Sequence, residues 1–146
     1  MEYEITPVDV WVGQVEDRPG GLSSKLAHLM MVTGQTLEFI IARASEARDG
    51  SGVLFVAPLS TPEAERAAAE VDLHKSDSMH VLRLVGPARA GLSAGLAGTL
   101  AREEINIAGL SAMSVEGGAV IYIRLETAED AERARKAIAE ALAEPP

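Results

Sequence analysis

The chain has 146 residues, enough for one ordinary domain or two small ones. Hydrophobic residues make up 47% of it, which supports a packed core and excludes a disordered chain. The net charge is −9, with 12 acids against 6 bases over residues 1–76 and 10 against 7 over 77–146, so neither half offers the basic face that nucleic acid needs.

Aromatic residues are only 3%, so Ala, Gly, Leu and Val carry the packing and suit close layers of helix on sheet. There is no cysteine, which removes disulfide and thiol chemistry and fits a reducing, cytoplasmic setting. The opening MEYEITPVDV is acidic and poor in apolar residues, unlike a signal peptide. No apolar run approaches the ~20 residues that span a bilayer. The expectation is a soluble protein with no membrane and no nucleic-acid partner.

Residues 2–6 alternate like a strand but have no partner in their own half. Pairing with the sheet of the other half is expected. A strand over Val8–Val15 follows, then the loop Asp17-Arg18-Pro19-Gly20-Gly21-Leu22. Leu22, Leu26, Leu29 and Met30 mark one face of a helix. A long strand covers Thr36–Ser45, and Asp49-Gly50 supplies the turn chemistry of a hairpin. The returning strand is Val53–Leu59. Ser60-Thr61-Pro62-Glu63 opens a second helix with a hydroxyl cap and a proline in the first turn. Val71–Lys75 can close the sheet.

The same order then repeats. Sliding the sequence by 70 positions aligns Gly21-Leu22-Ser23 with Gly91-Leu92-Ser93 and Leu26-Ala27 with Leu96-Ala97. The second copy has strands over Met79–Val85, Asn106–Val115 and Ala119–Leu125, a Gly117-Gly118 turn, and a final helix from Thr127 through Ala131, Ala134, Ile138 and Leu142. Glu144-Pro145-Pro146 cannot add a strand. The expected fold class is α+β: two ferredoxin-like βαββαβ sandwiches in tandem, divided at 76/77, with two helices on one face of each antiparallel sheet.

A strand ending in D-R-P-G-x-L before an amphipathic helix resembles the ACT domain, and Glu104-Ile105-Asn106-Ile107 is similar to that family's entry into its second strand. The likeness covers nearly the whole chain as two copies. It is weaker in the second loop, Gly86-Pro87-Ala88-Arg89-Ala90-Gly91, which lacks an acid or amide and has Ala90 where Gly20 stands. Thr36 also stands where the second copy has Asn106. The resemblance implies a freestanding, non-catalytic sensor. It would bind a small ligand, an amino acid above all, between paired domains, work as a homodimer, and control a separate enzyme or transcription factor.

Elementary chemistry agrees with that implication. A helix N-terminus offers unpaired N–H groups and partial positive charge to a carboxylate. Gly20 and Gly21 leave room for close approach, Pro19 stiffens the loop, and Asp17 can accept from an ammonium. In the second copy Arg89, Ala90, Gly91 and Leu92 occupy the corresponding loop. By resemblance, the second wall comes from a neighbouring domain's strand, with Leu37, Glu38, Asn106, Ile107 and Ala108 as candidates. A plain tight turn and a ligand-free assembly module joined through sheet edges are the competing readings.

No catalytic constellation is present. His28 reads as a helix-flank or partly buried residue, and a metal at His74 and His80 would need further ligands held rigidly, for which only Asp72 and Asp77 stand nearby. Met30-Met31 reads as core or interface filling. Glu129–Arg133 and Glu132–Lys136 stand at pairing distance on a solvated face. No cofactor and no metal is expected.

Overall fold

The protein is described from a computed structural model, which covers residues 2–34 and 36–143, with Thr33 given as backbone only. The terminal Glu144-Pro145-Pro146 lies outside the described residues. The elements in chain order are β1 (Glu4–Val8), β2 (Trp11–Glu16), α1 (Gly21–Thr33), β3 (Phe39–Ala44), β4 (Ser51–Ala57), α2 (Pro62–Glu70), β5 (His74–Lys75), β6 (His80–Pro87), α3 (Leu92–Arg102), β7 (Ile107–Val115), β8 (Gly118–Leu125) and α4 (Ala128–Ala143). They form two four-stranded antiparallel sheets, β3-β4-β2-β5 and β1-β6-β8-β7. The chain is thus α+β and builds the ferredoxin-like sandwich twice, as its pattern predicts.

The two compact units are residues 9–76, the first unit, and residues 2–8 together with 77–143, the second. The chain therefore starts in the second unit, leaves it at Val8, builds the whole first unit and returns. β1 lies antiparallel to β6, with Glu4 opposite Val85 and Val8 opposite Val81. It fills the place that β5 fills in the first unit, where Val12 pairs with His74 and Trp11 with Lys75. The strand expected over Val8–Val15 is accordingly two strands, broken at Asp9-Val10.

Alternation decides what each sheet buries. In β4 Gly52, Leu54 and Val56 are buried, and in β8 Ala119, Ile121, Ile123 and Leu125 are buried, so the helix-facing rows are apolar. Leu29, Leu54, Val56 and Leu73 anchor the core of the first unit, and Leu84, Leu100, Ile121 and Ile138 that of the second. Leu29 and Leu100 are each 0% exposed, whereas Met30 is 40% and Met31 87% exposed. The two methionines are therefore not core: the helix stripe that buries Leu29 turns Met30 away.

Two short devices stop the helices. After α2, Leu73 N–H donates to Ala68 O at 2.9 Å and Asp72 (φ 60°) makes the left-handed turn. After α3, Ile105 N–H donates to Leu100 O at 2.9 Å and Glu104 (φ 57°) does the same. Leu73 and Ile105 then enter the two cores, which is the apolar contact such caps make. This exit consumes Val71–Leu73, and so the fourth strand of the first unit shrinks from the expected 71–75 to His74–Lys75. The second hairpin turns through Glu116 (φ 51°) and Gly117 (φ 83°), one residue earlier than Gly117-Gly118, in the left-handed pair that a two-residue hairpin requires. On α4, Arg133 pairs with Asp130 rather than Glu129, and Glu132 meets Arg135 at 2.7 Å as well as Lys136 at 4.0 Å.

Leu29→Ala is expected to cost about 3 kcal/mol through lost burial and a residual cavity. The measurement is the urea midpoint followed by fluorescence of Trp11, the chain's single tryptophan, which lies in the first core. An unchanged midpoint would contradict the packing described.

Candidate functional site

The loop from β2 into α1 is built by three main-chain devices. Asp17 N–H donates to Gly50 O at 2.9 Å, which ties the end of β2 to the hairpin turn. Gly21 N–H donates to Arg18 O at 3.0 Å, and Ser24 N–H to Gly20 O at 3.0 Å. Gly20 caps α1 with φ 87°, a left-handed conformation that glycine adopts without strain. No atom lies within 4 Å of where a Gly20 Cβ would sit, so this face of the loop is open. Gly21 has a different reason: its Cβ would stand 2.2 Å from Glu16 O. Close approach at Gly21 is thus to the protein's own carbonyl.

The second loop repeats these contacts one register along from the 70-position alignment. Leu92 N–H donates to Arg89 O at 3.1 Å, Gly95 N–H to Gly91 O at 2.8 Å, and Ala88 N–H to Gly117 O at 2.7 Å. Gly91 caps α3 with φ 80°. The structural match is a shift of 71, Gly20 to Gly91, and it carries Arg18 onto Arg89, Leu29 onto Leu100 and Asp17 onto Ala88. Ala90 then corresponds to Pro19, and the second loop keeps its glycine at the position that needs it. An alignment by letters prefers Leu-Ser to Leu-Ser, because one residue is lost between helix and next strand, and so it misses the repeated arginine.

Each mouth opens on a shallow depression. In the first unit it measures about 160 Å³ and is lined by Glu16, Asp17, Arg18 and Leu22 on one side and by Ala42–Ala44 and Gly52 on the other. In the second it measures about 180 Å³, with Arg89, Gly91, Leu92 and Ser93 facing Ala112–Ser114 and Ile121. The walls come from the last residues of β3 and β7. Pairing puts Ala44 opposite Gly52 and Ser114 opposite Ala119, which brings those strand ends back to the mouth. The alanines leave the space that larger side chains would fill. Arg43 pairs with Val53, on the sheet face away from the helices. These strand-end residues went unnoticed in the sequence, although the Asp49-Gly50 turn was signal enough to place them.

The remaining candidates lie elsewhere in their units. Leu37 packs on the first core, and exposed Glu38 donates its N–H to Ala57 O at 3.0 Å, both at the far end of β3. Ile107 packs on the second core, Ala108 is the extra residue of a bulge between Ile107 and Gly109, and Asn106 donates to Glu126 at 2.9 Å. None of these five lines either depression. His28 meets Glu70 at 2.6 Å and joins α1 to α2. Among the described residues no group of three His, Cys, Asp or Glu is placed to hold a metal ion, and no helix is long and apolar enough to cross a membrane.

The electrostatics of the two mouths differ. The first is lined by two acids, Glu16 and Asp17, and two arginines, Arg18 and Arg43, with Arg18 paired to Glu16. The second holds one charged residue, Arg89, paired to Glu2 at 2.5 Å. The turn behind the first mouth is also charge-locked. Asp49 accepts from Ser51 N–H at 3.0 Å and from Ser51 Oγ at 2.5 Å. The Ser51 hydroxyl, then its amide, hold the Asp49 carboxyl below its ordinary value.

No protein-family model matches the sequence, and no curated protein matches it. Solved structures do match its fold. A protein from Bacteroides thetaiotaomicron superposes with TM-score 0.74 at 16% identity, over 90% of this chain and 88% of that one. The ligand-free regulatory subunit of aspartate kinase from Thermus thermophilus gives TM-score 0.63 at 19% identity, over 95% of each chain. A structure of aspartokinase alpha and beta subunits gives 0.62 at 17% identity, over 97% of each. These likenesses show a shared tandem fold, the one that the ACT-like loop implies.

Because Asp49 is more acidic in the folded chain, its contribution is complete above the ordinary carboxylate value and is lost as pH falls through the depressed one. Ser51→Ala is expected to move the Asp49 titration, followed by NMR of its carboxyl carbon, back up toward the ordinary value. An unmoved titration would contradict the lock.

Proposed function

We propose that the chain is a non-catalytic regulatory module that binds a small ligand, an amino acid, at the first mouth. The observation that carries this reading is the mouth itself: an open, glycine-capped helix start beside an acid, with a depression of about 160 Å³ walled by alanines. Main-chain N–H groups and helix polarity suit a carboxylate. Asp17 suits an ammonium, since it is among the residues lining the depression and its N–H is engaged in the hairpin. Structural neighbours described as regulatory subunits of aspartate kinase support the regulatory half of the reading. The module would act on a separate enzyme or transcription factor, by favouring one arrangement of its parts over another. It would act from the cytoplasm.

A second reading, assembly without ligand, rests on its own observation. β3 and β7 are sheet edges, and Ile40 on β3 and Leu110, Met113 and Val115 on β7 are exposed at 46%, 41%, 66% and 60%. Apolar edge strands invite pairing with another chain. A homodimer joined along such an edge satisfies both readings, and only ligand binding separates them.

Calorimetric titration with the common amino acids is expected to find a ligand, and Asp17→Asn is expected to weaken it about 10-fold or more by removing the charge that faces the ammonium. Silence across the whole panel would overturn the sensor. For the edge, Met113→Lys is expected to lower the sedimentation-equilibrium mass toward that of one chain; an unchanged mass places the contact elsewhere.

A further inference from the structure

The two loops share an arginine but hold it differently. Arg18 pairs with Glu16, two residues back at the end of β2, and both side chains are well exposed. The counterpart of Glu16 is Pro87, which has no carboxylate. Arg89 instead takes its partner from the opposite end of the sequence, Glu2, at 2.5 Å. Its guanidinium also lies over the Tyr3 ring, 5.7 Å from the centroid. Tyr3 is only 4% exposed, and its hydroxyl donates to Pro87 O at 2.9 Å. The ring sits so close to the loop's first residue that a Gly86 Cβ would meet it at 2.2 Å. Among the described residues of the first unit no tyrosine or distant acid is placed on the corresponding loop. Its fourth strand, His74–Lys75, ends before it reaches the level of Tyr3, where Val71 closes α2 instead, and beside Gln14–Glu16 there is an open groove of about 730 Å³.

We infer that Glu2 and Tyr3 form a built-in latch on the second mouth. Tyr3 clamps the Gly86–Gly91 loop through ring and hydroxyl. Glu2 presents a carboxylate to the one cation of that mouth, where a free carboxylate would otherwise pair. The second mouth is autoinhibited; the first also pairs its arginine, Arg18, with a carboxylate, but it keeps Asp17 and Arg43 in its lining. The latch itself is independent of any ligand; its inhibitory consequence rests on the reading of the mouths as carboxylate sites.

The test has two arms on the full chain. Without ligand, backbone hydrogen exchange is compared in the wild type, Glu2→Gln and Tyr3→Phe. Both variants are expected to speed exchange at residues 88–91 by about threefold or more, the scale of an exposed pair with one hydrogen bond. Residues 17–20 and the core amides of Leu84 and Ile121 should not change, which distinguishes a released loop from an unfolded unit. Unchanged exchange at 88–91 in both variants would overturn the latch. In the second arm sodium acetate is titrated against the Gly20 and Gly91 amide resonances at constant ionic strength. Acetate is expected to shift Gly20 in the wild type, and Gly91 only in Glu2→Gln. Equal shifts of Gly91 in wild type and Glu2→Gln would overturn the autoinhibition. No shift at either glycine in any variant would remove the carboxylate reading and with it the inhibitory role, while the exchange arm still decides the latch.

Discussion

At each mouth one glycine in a left-handed conformation turns the chain from a strand end into a helix start, and the rest of the site depends on that turn. Gly20 (φ 87°) and Gly91 (φ 80°) each let an arginine carbonyl two residues back accept the first N–H of the helix. Any other residue type there carries a left-handed cost of about 1–2 kcal/mol. The turn sets the helix start beside the last residues of the next strand. An open, polar mouth is the direct product of this geometry.

The duplication fixes the frame but not the chemistry. Both units use the same turn and the same strand order, so the depressions fall in the same place. What differs is a few side chains: Glu16 and Asp17 at the first mouth, Pro87 and Ala88 at the second. A mouth with both charge signs matches a zwitterion. A mouth with one cation, already neutralised by Glu2, matches none until that pair opens. Two copies of one unit can thus carry a responsive and a quiet position, because the backbone that shapes a mouth is independent of the residues that charge it.

The connection between units follows from sheet closure. Each sheet needs a fourth strand against β2 or β6. The first unit obtains a stub of two residues after α2, and the second obtains five residues from β1. The longer strand brings Glu2 and Tyr3 to the second loop; the stub stops short of the first. The difference in strand supply is therefore also the difference in how the loops are held.

The sequence by itself determined the α+β class, the twofold β-α-β-β-α order and the position of the loop Asp17–Leu22 between strand and helix. These are local matters: periodicity, turn residues and caps act over a few positions. It placed Leu29 in a core but misjudged Met30, because one helix stripe was read one residue too wide. It missed the shift of 71 that pairs Arg18 with Arg89, since a single deletion after the helix is invisible to letters and plain in hydrogen bonds. Only the tertiary structure decided that Ala42–Ala44 and Ala112–Ser114 wall the mouths and that Glu2 reaches Arg89. Strand pairing and sheet closure bring together residues far apart in the chain, and no local pattern records which distant side chain will fill a given space.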